Sequence, residues 1–451
     1  MRNWALRRIE PQRSQPMTLL QHASLALYGA LVWLAQPLLR RKLRRRALAE
    51  PGYGVAVPER FGHYPTPAAT AREHLWLHAV SLGEARAAGI LMQALREALP
   101  GVRFVLTHGT ATGREEGRRW LREGDLQVWQ PWDTADAVAR FLRHFRPRMG
   151  LLMETEVWPR TVQQCRQMGV PLLLVNARMS EKSLRAAMRW PALMRPAYAG
   201  LSAVLAQTGA DAVRLRALGA PVAEVTGNLK FDARPDAAQC ALGRGWRSRQ
   251  DRPVLMLASS REGEEAMWLA ALQALPQAQA RSVRWLLVPR HPQRVDEVQA
   301  LLQAAGLVVH RRSHWPAQGP DADRSGDVVW LGDSMGEMAL YYSLTDVALL
   351  GGSFAALGGQ NLIEAAACGC PLLMGPHTFN FLEAAEQAQQ AGAALRAQDM
   401  AQALEQALAL AADQATGGGR HAQMREAASG FAQAHKGAAA RTATLIRDRL
   451  S

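Results

Sequence analysis

At 451 residues, 48% hydrophobic and 20% charged, the chain has a globular composition with room for two or three cores, which excludes a fibrous or wholly disordered protein. The net charge of +14 invites a nucleic-acid reading, but residues 1–46 hold ten Lys/Arg and one acid (Glu10), so +9 sits at the N-terminus and only +5 on the rest. That placement disfavours nucleic acid and favours a membrane surface, and the four cysteines (Cys165, Cys240, Cys368, Cys370) form neither a disulfide framework nor a paired metal spacing, as in a reducing compartment.

Residues 19–39 are mostly apolar but contain Gln21, His22 and Gln36. Their cleanest core, 23–35, is shorter than the roughly 20 residues that span a bilayer. RRKLRRR follows at once. A signal peptide carries its charge before the apolar run, whereas here the heaviest charge comes after it. The pattern fits an anchor with its C-terminal flank held cytoplasmic, and equally a helix lying in the interface with arginines on anionic headgroups. A surface helix of the first domain is the plain alternative. Membrane attachment is the preferred reading, with spanning and lying flat both open.

From residue 75, short apolar runs alternate with helical patterns, which predicts βαβ units and a largely parallel sheet. Strands are expected at 75–80, 102–107, 126–129, 149–153, 171–175, 201–206 and 222–225. Residues 227–251, with Pro235, Gly243 and Gly245, break the rhythm and read as a hinge. Strands resume at 253–258, 285–289, 307–310, 328–331, 346–351 and 371–374, around a polar loop at 313–326. Helices then run to about 412, and Gly417–Gly419 precede a last helix near 420–449 that can pack back across the hinge. Two consecutive Rossmann-like domains describe the GT-B glycosyltransferase architecture. A periplasmic-binding-protein arrangement fits the pattern too, and fold alone decides neither.

The stretch LWLHAVSLGEARAA (75–88) reads as a buried strand, a tight turn and a helix opening on Glu84. Polar residues at the carboxyl ends of parallel strands are where open α/β sheets bind ligands. Ser81-x-x-Glu84 is also the capping-box spacing, which accounts for the pair without any chemistry. Other strand ends in this half supply the segment 107–113, Glu154 and Glu156, Asn176 and Arg178, and Gly227-Asn228-Leu229-Lys230. Two carboxylates after an apolar run are costly unless paired or used, and Arg178 or Lys230 is the available partner.

In the second half, three turns fall at strand ends. Pro289-Arg290-His291-Pro292 offers a guanidinium suited to phosphate. Gly332-Asp333-Ser334-Met335-Gly336-Glu337 offers backbone amides at a helix start. Gly351-Gly352-Ser353 runs on to Gly358-Gly359-Gln360-Asn361-Leu362-Ile363-Glu364, where glycines allow close approach and Glu364 can accept both ribose hydroxyls. Together the three predict a nucleotide site. Gly351-x-Ser353-x-Ala355 lacks the last glycine of a nucleophile elbow. Asp321-Ala322-Asp323 lies among loop-forming residues and implies no metal.

With these segments in hand, the chain resembles the 3-deoxy-D-manno-octulosonic acid (Kdo) transferases of lipopolysaccharide synthesis from about Arg60 to Glu383. The carriers are HAVSLGE (78–84), METEVWP (153–159), NARMSEKS (176–183), GNLKFD (227–232), PRHP (289–292), GDSMGEM (332–338), GGS (351–353) and GPHTFNF (375–381). The resemblance implies an α/β, GT-B fold with two Rossmann-like domains facing a crevice and an N-terminal membrane-anchor helix. The expected divisions are an anchor at 1–46, an acceptor-binding domain at 47–235, a CMP-sugar domain at 236–425 and a returning helix at 426–451. It implies inverting transfer of Kdo from CMP-Kdo to the lipid A precursor, lipid IVA, with no cofactor beyond the donor and no metal. Glu84 inherits the role of catalytic base, and Glu154 and Lys230 that of transition-state stabilisation. Pro289, Arg290, His291, Met335, Gly336, Glu337, Asn361, Leu362, Ile363 and Glu364 are expected to hold CMP. Ser81, Glu156, Arg178, Gly352 and Ser353 are expected at the substrates. The implied location is the inner membrane, with the globular domains on the cytoplasmic side and no nucleic-acid partner. Three positions depart from the family's GGHNPLEP: Gln360, Leu362 and Ala365 stand in GGQNLIEA, which bears on the rigidity of that loop. His108 stands where small hydroxyl residues are usual, on the expected acceptor side. A GT-B enzyme using a UDP-sugar, and a non-catalytic membrane-surface protein on the same frame, are the alternatives.

Overall fold

The computed structural model describes residues 17–320 and 327–450. The chain forms two compact units, one built from residues up to Asp232 together with those from Gly437 onward, the other from Ala233–Lys436.

The first unit is a seven-stranded parallel sheet: β1 (His74–His78), β2 (Arg103–His108), β3 (Leu126–Trp129), β4 (Met149–Met153), β5 (Leu172–Ala177), β6 (Ala203–Ala206) and β7 (Val222–Val225), in the order β3-β2-β1-β4-β5-β6-β7. Helices cover both faces, so the central strands are buried on both sides and read as continuous apolar runs. Leu75 and Leu77 face helix Leu82–Ala98 and one core, while Trp76 faces Phe141 and the other. The strand order reverses between β1 and β4, and Glu84 and Glu154 follow those two strands. This is the switch point at which such sheets bind ligands.

The second unit repeats the plan with β8 (Val254–Ser260), β9 (Arg284–Pro289), β10 (Val308–Arg311), β11 (Val328–Leu331), β12 (Val347–Leu350), β13 (Leu372–Met374) and β14 (Ala394–Arg396), ordered β10-β11-β9-β8-β12-β13-β14. Its switch point lies between β8 and β12.

Residues 227–251 do contain the division between the units, after Asp232, and they hold a 3-10 turn, Leu229–Asp232, and helix Ala237–Arg247. Gly243 is there for close packing, since a Cβ would lie 2.4 Å from the Leu340 carbonyl oxygen. Three readings of the sequence are corrected. The last helix is two helices, Gly419–Ala434 and Ala438–Leu450, parted at Gly437 with φ +94°. The unit boundary therefore falls after Lys436, not 425. Strand β14, only three residues long, was expected as part of a helix. Asp321-Ala322-Asp323 lies outside the described residues.

The N-terminal apolar stretch forms helix Leu19–Leu34, bent by 47° from helix Gln36–Ala49. Pro37 in the first turn of the second helix suits a new start and lacks the N–H an unbroken helix would use. No single helix among the described residues is long and apolar enough to cross a membrane, although the bent pair passes by length and composition. Leu25 is buried, and the Tyr28 hydroxyl donates to Asp133 at 2.9 Å. Leu20, Leu27, Leu31 and Leu34 form one exposed stripe. The spacing places them together on the helix, away from Leu25.

Candidate active site

In the first unit the turn after β1 is tied down before it presents any chemistry. Gly109 N–H and Thr110 N–H donate to the Val80 carbonyl at 3.3 and 3.1 Å, and the Thr110 hydroxyl donates to it at 2.8 Å. Ser81 caps helix Leu82–Ala98, accepting from the Glu84 N–H at 3.4 Å. The Glu84 carboxylate reaches one residue past the cap: Val80 N–H donates to Oε2 and the Ser81 hydroxyl to Oε1, both at 2.9 Å. Glu84 is half-buried. Burial pushes its pKa up and the Glu154 charge adds to this, while the Val80 and Ser81 bonds and Lys230 oppose it.

Glu154 follows β4 at φ +53°, a left-handed conformation that costs a non-glycine residue about 1–3 kcal/mol. The surroundings hold it there. Its N–H donates to Val175 O at 3.0 Å, and its carbonyl accepts from Arg178 N–H at 3.2 Å. Its buried carboxylate is clamped by Lys230 Nζ at 3.0 Å and Arg178 Nε at 2.8 Å. Burial alone would raise its pKa, but the two cations outweigh it and hold the group below its usual range. Asn176, fully buried, accepts from Leu229 N–H at 3.0 Å and so sets the turn that delivers Lys230.

Glu156 is the third carboxylate. Burial and then the Glu84 charge push its pKa up to about 7, against a 2.9 Å hydrogen bond from Trp158 Nε1. A carboxyl raised in the folded state favours folding at low pH, and that contribution is lost as pH rises from the ordinary value through about 7. Glu156→Gln is therefore expected to melt like the parent at pH 4 and above it at pH 8. Equal melting temperatures at both pH values would contradict the raised titration.

Ser81, Glu84, Glu154, Glu156, Arg178 and Lys230 thus form one coupled cluster. His108 does not join it. It is fully buried, its Nδ1 lies 2.8 Å from Ala79 O, and burial lowers its pKa to about 4. Gly117 leaves room for its ring, since a Cβ there would lie 2.4 Å from Nε2. From inside the fold His108 ties the end of β2 to the turn after β1.

In the second unit the three expected turns follow the adjacent strands β11 and β9, and β12, which β8 separates from β9. Pro289 ends β9, and Arg290 N–H donates to Ser260 O at 2.9 Å. Arg290 and His291 are half-buried, and burial, then Arg261 and Arg290, lower the His291 pKa. Met335 and Gly336 are exposed, the latter at φ +80°. Glu337 pairs with Arg312 at 3.0 Å and also accepts from Ser334. Arg312 in turn stacks on Trp246 and Trp315. Asn361 caps helix Leu362–Ala367 through Ile363 N–H at 3.2 Å, and Glu364 sits half-buried in its first turn. The side chains of Leu362 and Ile363 are buried, so only their backbone can reach a ligand. Ser353 is corrected more fully. Its hydroxyl is inside the fold, donating to Leu350 O and accepting from Gly375 N–H, so it builds the loop and does not face substrate. The loop around Gln360 is latched by Gly359 N–H to Gly352 O at 2.7 Å and Gln360 N–H to Gly351 O at 3.1 Å, without the two prolines.

Sequence reading missed Glu264. This fully buried carboxylate accepts from the N–H groups of Gly352 (2.6 Å), Phe354 (3.0 Å), Ala355 (3.2 Å) and Arg261 (2.9 Å). It is the centre around which the glycine-rich loop folds. Two adjacent glutamates open its helix, a pattern that the helix dipole alone would explain. Glu264→Ala strands four donors and is expected to cost about 4 kcal/mol in urea unfolding. Glu264→Gln is expected to keep the fold and loosen the loop, read as faster amide hydrogen exchange at Gly352, Phe354 and Ala355. Unchanged exchange in that variant would mean the loop does not depend on this carboxylate.

Two units, each a seven-stranded parallel sheet covered by helices, define the GT-B architecture. HepE from Anabaena, in complex with UDP, superposes with a TM-score of 0.55 at 12% identity over 83% of this chain and 99% of that one. A glycosyltransferase from Rickettsia africae does so at 0.54 and 11% identity, over 84% and 99%. Both likenesses show the fold alone. Residues 56–233 match the family described as 3-Deoxy-D-manno-octulosonic-acid transferase (kdotransferase). The 3-deoxy-D-manno-octulosonic acid transferase of Bordetella pertussis is 48% identical over 95% of this chain and 98% of its own length. That of Haemophilus influenzae is 31% identical over 84% and 89%. The chain belongs to the Kdo transferase family.

Proposed function

We propose that this Kdo transferase takes its sugar from CMP-Kdo and gives it to the lipid A precursor, lipid IVA, by a single inverting displacement. The observation that carries the reading is the Glu84 carboxylate, held by Val80 and Ser81 beside the Glu154–Lys230–Arg178 clamp. Glu84 takes the proton from an acceptor sugar hydroxyl. The hydroxyl oxygen bonds to the anomeric carbon of Kdo as the bond from that carbon to the CMP phosphate oxygen breaks. CMP leaves with the bonding pair. Burial raises the basicity of Glu84, which brings it closer to the working range of a general base. Glu154 stays ionised and fixes Lys230, whose ammonium offsets the negative charge of the Kdo carboxylate or of the departing phosphate. On the second unit, Arg290 and the backbone around Gly336 and Asn361–Glu364 bind CMP. A monophosphate leaving group carries little charge, so fixed donors suffice and no metal is required.

The acceptor is a membrane lipid, and the exposed leucine stripe of helix Leu19–Leu34 supports attachment to the cytoplasmic face of the inner membrane. With its other face docked on the first unit through Leu25 and Tyr28, this helix suits lying in the interface better than spanning. Purified protein incubated with CMP-Kdo and lipid IVA is expected to yield a product heavier by Kdo in mass spectrometry. UMP binding without CMP binding would instead assign a UDP-sugar donor.

A further inference from the structure

One exposed feature has no part in the reaction above. It is the corner in the first unit between helix Glu181–Ala187 and helix Pro191–Ala199. The first of these helices has no buried residue. Residues 182–195 carry Lys182, Arg185, Arg189 and Arg195 and no acid. The neighbouring acid, Glu181, lies 3.8 Å from Arg185. Amid these cations stand Trp190, 69% exposed, and Met188, 39% exposed. A tryptophan left in water beside several cations is the composition of a surface that meets lipid headgroups, where the ring is apolar at one end and wet at the other. The corner also adjoins the helix that carries the proposed membrane face, on its Leu25 side. Its second helix packs on helix Leu19–Leu34, and Leu193, Pro196 and Leu25 line one shared cleft.

We propose that this corner is a second contact with an anionic bilayer, distinct from the N-terminal helix pair. Trp190 and Met188 enter the headgroup layer, and Lys182, Arg185, Arg189 and Arg195 lie against lipid phosphates. The helix starts three residues after Arg178, which clamps Glu154. Docking the corner therefore brings the segment that carries Arg178 to the surface where a lipid acceptor presents its sugar. The inference rests on the membrane part of the function proposed above.

The test is flotation of the full chain with vesicles of phosphatidylglycerol and phosphatidylcholine, against phosphatidylcholine alone. Arg185→Gln with Arg189→Gln is expected to lower partitioning to the anionic vesicles by about fivefold per cation. Brominated lipid is expected to quench a fluorescence component that Trp190→Phe lacks. All these side chains are exposed, so melting temperatures should stay at the parent value. Leu27→Glu with Leu31→Glu separates the two ideas. If that pair abolishes flotation while the corner variants change nothing, the corner proposal fails alone. If the parent floats with neither kind of vesicle, both fail. If Trp190→Phe removes a dimer in sedimentation and leaves lipid quenching intact, the corner belongs to a second copy of the chain and the proposal is overturned.

Discussion

Glu84→Gln is expected to leave the protein folded and to lower the transfer rate by about 10²–10⁴-fold, the range that a positioned general base supplies. The two expectations come from different atoms. The Glu84 N–H to Ser81 Oγ bond belongs to the backbone and survives the change. The amide keeps one oxygen, which can still accept from Val80 or Ser81, so the helix start persists. What the amide cannot do is take a proton. The parent's rate should also climb with pH along an acid limb lying above the ordinary carboxylate range, because burial raises the Glu84 pKa. Rates from product mass, read beside a melting curve, decide the matter. A variant that melts normally and keeps substantial activity would leave Glu84 as a helix cap and nothing more.

Lys230→Met is expected to lower the rate by about 10²–10³-fold, the loss typical of deleting one fixed donor at a developing charge. It will also disturb Glu154. Burial raises that carboxyl, and the parent counters it with Lys230 and Arg178. With Lys230 gone, Arg178 alone remains, and it is half exposed. Breaking a buried pair costs about 3–5 kcal/mol, and the surviving Arg178 should hold the loss below that. The pH dependence follows from the sign. A carboxylate depressed in the folded state adds stability above its unfolded pKa, and this is lost as pH falls through the folded value. The gap between parent and variant should therefore be widest near neutrality and close in acid. Lys230→Arg, which keeps the charge, should restore stability more than rate. A stability gap independent of pH would mean the clamp does not act through Glu154.

Much of this was visible along the chain, because buried parallel strands write themselves as short apolar runs and polar turns must follow them. Glu84, Glu154 and Lys230 could be picked out on that basis. Their partnership could not, since Lys230 lies 76 positions beyond Glu154 and is delivered by Asn176, whose own left-handed backbone leaves no local mark. Glu264 escaped for the same reason: three of its four amide partners lie 88 to 91 positions away. Ser353 misled in the opposite direction, for a serine after two glycines looks the same whether its hydroxyl faces substrate or two backbone groups. Gly243 read as a loop residue because sequence alone does not distinguish freedom of the backbone from shortage of space.

The path of the chain has a consequence for its synthesis. Helix Ala438–Leu450 packs Ala439, Ala443 and Ile446 into the same core as Leu91 and Leu95 of the Glu84 helix, and Asp232 accepts from the Gly437 and Ala439 N–H groups. The first unit is thus begun early and closed only by a helix made after the whole of the other unit. The intervening 204 residues, 233–436, take about 10–40 s to make at 5–20 residues per second. Throughout that interval the helix bearing Glu84 lacks part of its packing, so the nascent chain has a built-in delay before the catalytic half can mature. The other unit, which the chain completes without returning, is free to fold first.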